Sequence, residues 1–373
     1  GILGGGQLGK MLALAAHNWQ TPVYILDAAK DFPAGQVATH FVEGSFKDET
    51  TVYEFGQRVD ILTVEIEHVN TAALIRLQDE GKTVHPNPHM LNIIKDKGLQ
   101  KQFYAQHQLP TSSFELFDDA TAIRQALDEG RLQYPFVQKA RTAGYDGNGV
   151  AIIRQETDRS KLLEAASVIE PLVPIKKEIA VVVARNASGE IKTFPPVEME
   201  FHPTANLVEF LSCPAEISPT QVTEAESLAR SVIEAYGICG LLAVELFLTE
   251  TDEWLINEVA PRPHNSGHHT IDSCVTSQFE QHLRAILDLP LGDTSMKTPS
   301  VMINLLGAAG ATGPTQYYGL EQCLAIPGAK FHLYGKTITK PFRKMGHATI
   351  LDADLDVARK KASQIQERLK IST

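Results

Sequence analysis

The chain has 373 residues, of which 43% are apolar and 21% charged, a balance typical of a folded enzyme and unlike that of a disordered chain. Its net charge of −11 and pI near 5.6 argue against broad binding to nucleic acid, which needs clustered Lys and Arg facing phosphates. At about 100–200 residues per domain, this length predicts two or three domains.

The compartment is predicted from the cysteines and from the apolar runs. Cys213, Cys239, Cys274 and Cys323 form no C-x-x-C pair, so we expect reduced thiols and a cytoplasmic protein. No apolar run approaches the roughly 20 residues of a membrane span, and no signal segment opens the chain. The chain begins GILGGG without Met, so we expect that Gly1 is not the true N-terminus.

Taken in chain order, the elements predict three regions. Residues 1–95 alternate short apolar runs with helical stretches, which indicates βαβ units and a Rossmann-like domain. Residues 96–168 give helices near 97–107 and 120–129 and strands at 134–140 and 149–154, which predicts a small α+β lid. Residues 169–373 contain long strands, helices near 221–236 and 277–287, short β segments from 301 to 341, and a helix at 355–369.

A first glycine loop follows the first strand. Gly4, Gly6 and Gly9 have the G-x-G-x-x-G spacing, and Asp27 ends the second predicted strand, as in dinucleotide-binding folds. A nicotinamide cofactor is therefore one hypothesis. The same loop can bind any phosphate at a helix N-terminus, or can be a tight turn without a ligand.

A second glycine loop lies between the two lid strands. Lys139 ends one strand, and Gly144, Gly147 and Gly149 precede the next. Glycine N–H groups beside a lysine suit a triphosphate, although an ordinary hairpin turn has a similar composition.

Two glutamates are predicted to face each other across a hairpin. If the turn is symmetric about the bond between Thr251 and Asp252, Glu245 and Glu258 are cross-strand partners. Opposed carboxylates are destabilising unless a cation compensates, and Mg²⁺ accepts one or two carboxylates with water and phosphates. Asn257 could add a neutral ligand if a bulge turned it to the same face. The alternative is a solvated acidic hairpin.

A polar run, APRPHNSGHH, follows this strand. Arg262, His264 and Asn265 place hydrogen-bond donors beside the predicted metal, and the Arg262 guanidinium suits a carboxylate or bicarbonate. We regard this segment as an active-site loop, because so many donors are crowded next to the predicted metal, and a zinc site is the less favoured alternative.

Several segments of the chain together carry a resemblance to a known family. In chain order they are Lys139, GYDGNG, EPLVPIKKE, AVELF and INEVAPRPHNSGH. They resemble the ATP-grasp superfamily and, within it, the N5-carboxyaminoimidazole ribonucleotide synthase family. The resemblance covers nearly the whole chain. It implies an α/β ATP-grasp fold with a Rossmann-like pre-ATP-grasp domain at 1–95, a lid at 96–168, and a grasp domain at 169–373 that ends in a small β-rich subdomain.

The resemblance also implies an activity. ATP would phosphorylate bicarbonate to carboxyphosphate, which would carboxylate 5-aminoimidazole ribonucleotide in purine biosynthesis, making the protein an ATP-dependent carbon–nitrogen ligase. Mg²⁺ (Mn²⁺ as a substitute) would be required and biotin would not. A homodimer is expected, with no nucleic-acid or membrane partner.

Site residues follow from the same resemblance. Lys97 and Lys139 would contact ATP phosphates beneath the loop Gly144, Tyr145, Asp146, Gly147, Asn148, Gly149 and Val150. The hinge that binds adenine would be Glu170, Pro171, Leu172 and Val173. Glu178 would bind the ribose, and His202 would lie near the nucleotide. Mg²⁺ would be held by Glu245, Glu258 and Asn257. Arg262, His264 and Asn265 would bind bicarbonate.

The acceptor ribonucleotide would contact Gln7, Leu8, Glu67, Tyr145, Asp146, Lys336 and Arg343, the last two through its phosphate. Three positions depart from the family pattern, namely Ala143, Asn148 and Val150, and they bear on how the loop closes.

Three rival hypotheses remain. A formate-dependent glycinamide ribonucleotide transformylase shares the architecture but usually has a Ser-rich lid loop. A nicotinamide-dependent oxidoreductase would use the first glycine loop and leave Lys139 and the glutamate pair unexplained. A catalytically inactive nucleotide-binding regulator would keep the fold without the chemistry.

Overall fold

The computed structural model describes residues 1–142, 149–201 and 208–373. The N-terminal part is Rossmann-like, as predicted. Its strands are β1 (Ile2–Leu3), β2 (Tyr24–Asp27), β3 (His40–Glu43), β4 (Ile61–Val64) and β5 (Thr83–Val84), and its helices are α1 (Gln7–His17), α2 (Glu49–Gln57), α3 (Thr71–Asp79) and α4 (Pro88–Ile94). The strands pair in parallel in the order β3-β2-β1-β4-β5, so β1 lies in the middle of the sheet and α1 begins at its carboxyl edge.

The lid follows as a small antiparallel sheet with two helices. Its elements are α5 (Lys97–Gln106), β6 (Glu115–Phe117), α6 (Ala120–Asp128), β7 (Phe136–Ala140), β8 (Val150–Ile153) and β9 (Ser167–Pro171), with a short 3₁₀ helix at Glu156–Lys161. The strand order is β6-β9-β7-β8. Because β7 pairs with both β8 and β9, Lys139 lies in the interior of this sheet.

The C-terminal part is built on one large antiparallel sheet. Its elements up to residue 286 are β10 (Ile175–Arg185), β11 (Ile191–Thr193), β12 (Val197–Phe201), β13 (Val208–Cys213), α7 (Pro219–Tyr236), β14 (Gly240–Thr249), β15 (Trp254–Ala260), α8 (Thr270–Ser273) and α9 (Gln278–Ile286). The order begins β15-β14-β10-β12-β13. Since β15 is at the sheet edge, the loop that leaves it at residue 261 faces the other domains.

The end of the chain differs in part from the prediction. Its elements are β16 (Ser300–Leu306), β17 (Gly313–Pro314), β18 (Gln316–Tyr318), α10 (Leu320–Leu324), β19 (Ala329–Leu333), β20 (Ile338–Thr339), β21 (Lys344–Leu351), α11 (Leu355–Arg368) and β22 (Lys370–Ser372). The strands β16, β21 and β19 continue the large sheet through β13, so they are not a separate layer. The prediction missed β21 and β22.

Polar caps fix where several helices start. Asp96, Asp119 and Ser218 each accept backbone N–H groups of the first turn, and Ser218 forms a reciprocal capping box with Gln221. The predicted last helix is confirmed as α11, and its Ala358, Ala362 and Ile365 are fully buried against β16 and β21.

Among the described helices, none is long and apolar enough to cross a bilayer.

Candidate active site

Glu245 and Glu258 lie directly opposite each other on β14 and β15. This confirms the predicted pairing, whereas a metal-binding role stays a prediction. The assumed symmetric turn was wrong, because Leu248 pairs with Trp254 and the turn is centred on Thr251. Asp252 adopts a left-handed conformation (φ 59°), as the last residue of a three-residue hairpin loop commonly does.

A bulge at Asn257 restores the register that the shorter turn had shifted. The pairing shifts between Glu245 and Leu246, so β15 has one extra residue at this point. The amide of Asn257 therefore reaches the glutamates. Its Nδ2 donates to Glu245 Oε2 at 3.4 Å, and its Oδ1 accepts from Lys139 Nζ at 2.8 Å.

The two carboxylates have opposite pKa shifts. Burial, and then the neighbouring Glu258 and Glu178, raise the pKa of Glu245 above its ordinary value. Burial also acts to raise the pKa of Glu258, but Lys97 and Lys139 outweigh it and the pKa is lowered. Although it lies deep in the protein, 38% of the Glu258 side-chain surface is open to a cavity. The pair therefore holds negative charge that a cation can reach.

Lys97 forms an ion pair with Glu258 through Oε2. It is the first residue of α5, whose start is fixed by Asp96 accepting N–H groups from Gly98 at 2.7 Å and Leu99 at 3.1 Å. Arg141 binds the same Asp96 carboxylate through Nε and Nη2, at 2.9 and 2.7 Å. The lid and α5 thus present the Lys97 ammonium to Glu258 on β15.

Lys139 links the lid to the same strand. Its Nζ lies 2.6 Å from Glu170 Oε2 and 2.8 Å from Asn257 Oδ1. Burial acts to raise the pKa of Glu170, but Lys139 and Lys101 together lower it to about 2. Glu170 is therefore a buried anion between two cations.

Lys101 is a functional candidate that the sequence prediction missed. It is 3% exposed and contacts Glu170, while its Nζ donates to Thr111 Oγ1 at 2.6 Å and Ser112 Oγ at 3.1 Å. Burial lowers its pKa to about 8. Lys101 lies one turn after Lys97 on α5, a spacing that by itself resembles an ordinary solvated helix face.

The predicted hinge lies between the lid and the large sheet. Glu170 and Pro171 end β9, and Leu172 and Val173 lead into β10. Glu178 of β10 lies between its partners Met199 and Phe247, and burial raises its pKa to about 7 despite the opposing effect of Lys139.

A cavity of about 580 Å³ connects the N-terminal domain, α5 and the large sheet. Its wall includes the predicted residues Gln7, Leu8, Glu67, Lys97, Glu245, Glu258, Arg262, His264 and Asn265. It also includes Ser266 and His268 of the predicted active-site loop, and residues that the prediction did not name, among them Glu65, His68, Lys95, Arg141 and Lys344. The structure therefore brings Lys97 and Glu258 of the predicted nucleotide site to one space with the three predicted bicarbonate residues and three of the predicted acceptor residues. Lys139, Glu170 and Glu178 do not belong to the described wall of this cavity.

The polar loop after β15 forms one side of this cavity. Arg262 Nε lies 2.8 Å from Glu67 Oε1, which joins the predicted bicarbonate and acceptor residues. His264 Nε2 lies 3.6 Å from Glu245 Oε1, so the loop also reaches β14. Asn265 exchanges two side-chain hydrogen bonds with Asn304 of β16, at 2.8 and 3.1 Å.

Gln278, at the start of α9, holds this loop in shape. Its Oε1 accepts from the His264 N–H at 2.9 Å, and its Nε2 donates to the His264 carbonyl at 2.8 Å. A Cβ at Gly267 would lie 2.4 Å from Gln278 Oε1, so glycine is needed for this close approach. The Gln278 side chain therefore fixes this loop through the backbone of His264.

The first glycine loop is closed by a carboxylate from within the chain. Glu65, just after β4, accepts N–H groups from Gly6 at 3.1 Å and Gly9 at 2.9 Å. Asp27 accepts the Gly5 N–H at 2.6 Å, and a Cβ at Gly9 would lie 2.6 Å from the Gly4 carbonyl oxygen. The helix N-terminus that would hold a dinucleotide pyrophosphate is therefore already occupied, which argues against the nicotinamide hypothesis.

Two predicted phosphate ligands are placed differently from the rest. Lys336 Nζ donates to the Lys344 carbonyl at 2.7 Å, and Arg343 Nη1 donates to the Ile338 carbonyl at 2.6 Å. Of these residues, only Lys344 belongs to the described wall of the cavity. The roles of Lys336 and Arg343 stay predictions.

Part of the predicted site lies outside the described residues. The predicted residues concerned are Gly144, Tyr145, Asp146, Gly147, Asn148 and His202. Ala143, which departs from the family pattern, also lies outside the described residues. Gly149 and Val150 are described, and Gly149 has φ 83°, in the region that favours glycine.

Three family models match successive parts of the chain. The ribonucleotide synthetase preATP-grasp domain matches residues 1–95, and the ATP-grasp domain matches residues 102–279. The phosphoribosylaminoimidazole carboxylase C-terminal domain matches residues 300–361.

Curated relatives agree over most of the chain. The N5-carboxyaminoimidazole ribonucleotide synthase of Bacillus subtilis is 37% identical over 94% of this chain and 90% of its own length. The phosphoribosylaminoimidazole carboxylase of Candida albicans is 39% identical over 98% of this chain, which spans only 66% of that longer protein.

Solved structures share the whole fold. An N5-carboxyaminoimidazole ribonucleotide synthetase from Thermotoga maritima matches with a TM-score of 0.91 and 42% identity, covering 100% of this chain and 98% of that one. The enzyme from Aspergillus clavatus, in complex with ADP and 5-aminoimidazole ribonucleotide, matches with a TM-score of 0.89 and 32% identity, covering 98% and 96%.

Proposed function

We propose, from the premise that this chain belongs to the N5-carboxyaminoimidazole ribonucleotide synthase family, that it carboxylates 5-aminoimidazole ribonucleotide with bicarbonate at the expense of ATP. The products would be N5-carboxyaminoimidazole ribonucleotide, ADP and phosphate. The observation that carries the proposal is the shared cavity, in which Lys97 and the glutamate pair meet Arg262 and the first glycine loop. The buried cysteines, all free, support the cytoplasm as its compartment.

The glutamate pair fits Mg²⁺. Its donors are hard oxygens on two opposed carboxylates, of which Glu258 forms an ion pair with Lys97. Within the described residues there is no cluster of three or more His, Cys, Asp or Glu side chains suited to a metal. Glu245 and Glu258, with the Asn257 amide, would therefore hold an ion whose remaining ligands are water and phosphate oxygens. Bound there, Mg²⁺ would neutralise the charge that develops on the transferred phosphoryl group.

The nucleotide side of the site is supported by the lysines. Lys97 and Lys139 bring two ammonium groups to the metal strand, where they would bind phosphate oxygens. Glu170, Pro171, Leu172 and Val173 would present backbone groups to adenine, and Glu178 would accept from the ribose hydroxyls. Catalysis would rest on positioning and charge neutralisation, since phosphoryl transfer asks for little covalent chemistry.

Bicarbonate would bind between the metal strand and the acceptor. Arg262 has a planar guanidinium, contacts Glu67 and lines the same cavity as Gln7 and Leu8, where the ribonucleotide would lie. His264, 3.6 Å from Glu245, would help to orient the carboxyphosphate. A closed lid would keep water from this intermediate.

The activity can be tested by phosphate release. Enzyme, ATP, Mg²⁺ and bicarbonate are mixed, and either 5-aminoimidazole ribonucleotide or glycinamide ribonucleotide with formate is added. We expect stimulation only by the first acceptor. Stimulation by glycinamide ribonucleotide and formate would assign the chain to the transformylase reaction, and no stimulation by either would contradict both.

A further inference from the structure

One lysine contacts a predicted metal ligand directly. We propose that Lys97 and a divalent cation compete for Glu258, and that nucleotide phosphate relieves this competition by accepting the Lys97 ammonium. Metal binding would then depend on nucleotide binding through a single side chain. This inference rests on the proposed function, because it takes Glu258 as a metal ligand.

The backbone of Lys97 is held in place. Its N–H donates to the Arg141 carbonyl at 2.8 Å, and Asp96 caps the helix that it begins. Arg141 in turn binds the Asp96 carboxylate with two nitrogens. Because the main chain is fixed at this point, an exchange of partners requires movement of the flexible four-carbon stem only.

The side chain of Lys97 is free to exchange in a way that Lys101 is not. Lys97 is 21% exposed at its side chain and lies in the cavity wall. Lys101 is 4% exposed at its side chain and is held by Thr111, Ser112 and Glu170. One turn of α5 therefore carries a fixed buried lysine and a lysine that faces the ligand space.

Charge explains why the metal and Lys97 exclude each other. The ammonium lies on Glu258 Oε2, so an ion bound to that carboxylate would meet a like charge within a few ångströms, where repulsion is strong in a poorly hydrated site. A phosphate group beside the ion offers Lys97 another anion. By linkage, the factor by which nucleotide tightens metal binding must equal the factor by which metal tightens nucleotide binding.

The test measures Mn²⁺ binding by electron paramagnetic resonance, without nucleotide and with ADP, in the whole chain. Lys97→Met removes the competing charge. Lys95→Met is the matched control, since Lys95 lines the same cavity but donates to the Val69 carbonyl at 3.2 Å. Enzyme-bound Mn²⁺ is separated from Mn²⁺·ADP in solution by a parallel titration without protein, and thermal unfolding checks the fold of each variant.

We expect Lys97→Met to tighten nucleotide-free Mn²⁺ binding at least about tenfold and to reduce the tightening caused by ADP. Lys95→Met should change the nucleotide-free affinity less than about threefold, because it leaves Glu258 paired. Unchanged or weaker nucleotide-free binding in Lys97→Met, with Mn²⁺ still bound in the presence of ADP, would overturn the competition and leave the proposed function intact. Absence of enzyme-bound Mn²⁺ in every protein, even with ADP, would overturn both.

Discussion

Buried carboxylates occur in both the N-terminal domain and the large sheet, but they are neutralised in different ways. Glu65 accepts two backbone N–H groups from the first glycine loop. Glu245 and Glu258 are met instead by side chains, namely Lys97 and Asn257. The backbone donors cannot leave, whereas the side chains can change partners.

This difference separates a structural carboxylate from the pair that we propose as metal ligands. Glu65 fills the anion site at the start of α1 and ties it to β4, so the loop cannot offer that site to a dinucleotide. The glutamate pair keeps charge that only movable groups balance, which suits a metal that arrives with its nucleotide. A glycine-rich phosphate motif thus indicates a ligand only once the hydrogen-bond acceptors of its N–H groups are known.

The largest expected effect is that of Glu258→Ala. The rate of 5-aminoimidazole ribonucleotide-dependent phosphate release should fall at least about 100-fold, as expected for the loss of one major electrostatic element. Because the change also removes the ion-pair partner of Lys97, thermal unfolding checks that the variant is folded. Glu253→Ala, at an exposed position of the same hairpin, is the control. A near-normal rate in Glu258→Ala would remove the metal assignment.

Glu65→Ala should lower the stability of the protein and leave metal binding intact, which is the reverse of the effect expected for Glu258→Ala. Two buried N–H groups would lose their acceptor, so the free energy of unfolding in urea should fall by roughly 2–4 kcal/mol. Mn²⁺ with ADP should still bind to the folded fraction. If this variant kept full stability and lost Mn²⁺ instead, the distinction between the two carboxylate sites would fail.

Arg262→Lys tests the predicted bicarbonate site, which lies next to the glutamate pair. A point charge cannot replace a planar fork, so kcat/KM for bicarbonate should fall about tenfold. Arg76→Lys is the control, because Arg76 pairs with Glu80 on an exposed helix surface. An unchanged bicarbonate KM and turnover would count against the role of Arg262.

A smaller effect is expected from acid titration of Glu170. Its pKa is lowered to about 2 against an ordinary value of 4.5, so the folded state binds its proton less tightly than the unfolded chain. This contribution to stability is complete above about pH 4.5 and is lost as the pH falls toward 2. Urea unfolding from pH 3 to 6 should show a steeper acid loss in the wild type than in Glu170→Gln. Parallel curves would contradict the ion pairs with Lys101 and Lys139.

The sequence predicted the pairing of the two glutamates, but for a partly wrong reason. The pairing of Glu245 with Glu258 was predicted from a symmetric turn, yet the turn is shorter and the Asn257 bulge compensates. A turn centre and a bulge each shift the register by one residue, so two opposite errors leave the pair in place. The local sequence pattern cannot distinguish a symmetric turn from a shorter turn with a compensating bulge, because a bulge depends on the neighbouring strand.

Other parts of the site depend on distant contacts. Glu65 follows β4, and nothing in its local sequence shows that it closes a loop some 60 positions earlier. Lys101 has the spacing of a solvated helix face, although it is buried by the lid and by the segment at Thr111. Regular strands and helices follow from periodicity and were largely predicted, whereas buried polar partners are set by how the domains pack.

The most direct test of the central claim is the position of the metal. Crystals grown with Mn²⁺ and ADP would be measured at the manganese absorption edge, and the anomalous peak located. We predict a peak bonded to carboxylate oxygens of both Glu245 and Glu258, with Lys97 moved from Glu258 to phosphate. A peak held only by the nucleotide, or by the histidines of the loop after β15, would contradict the account.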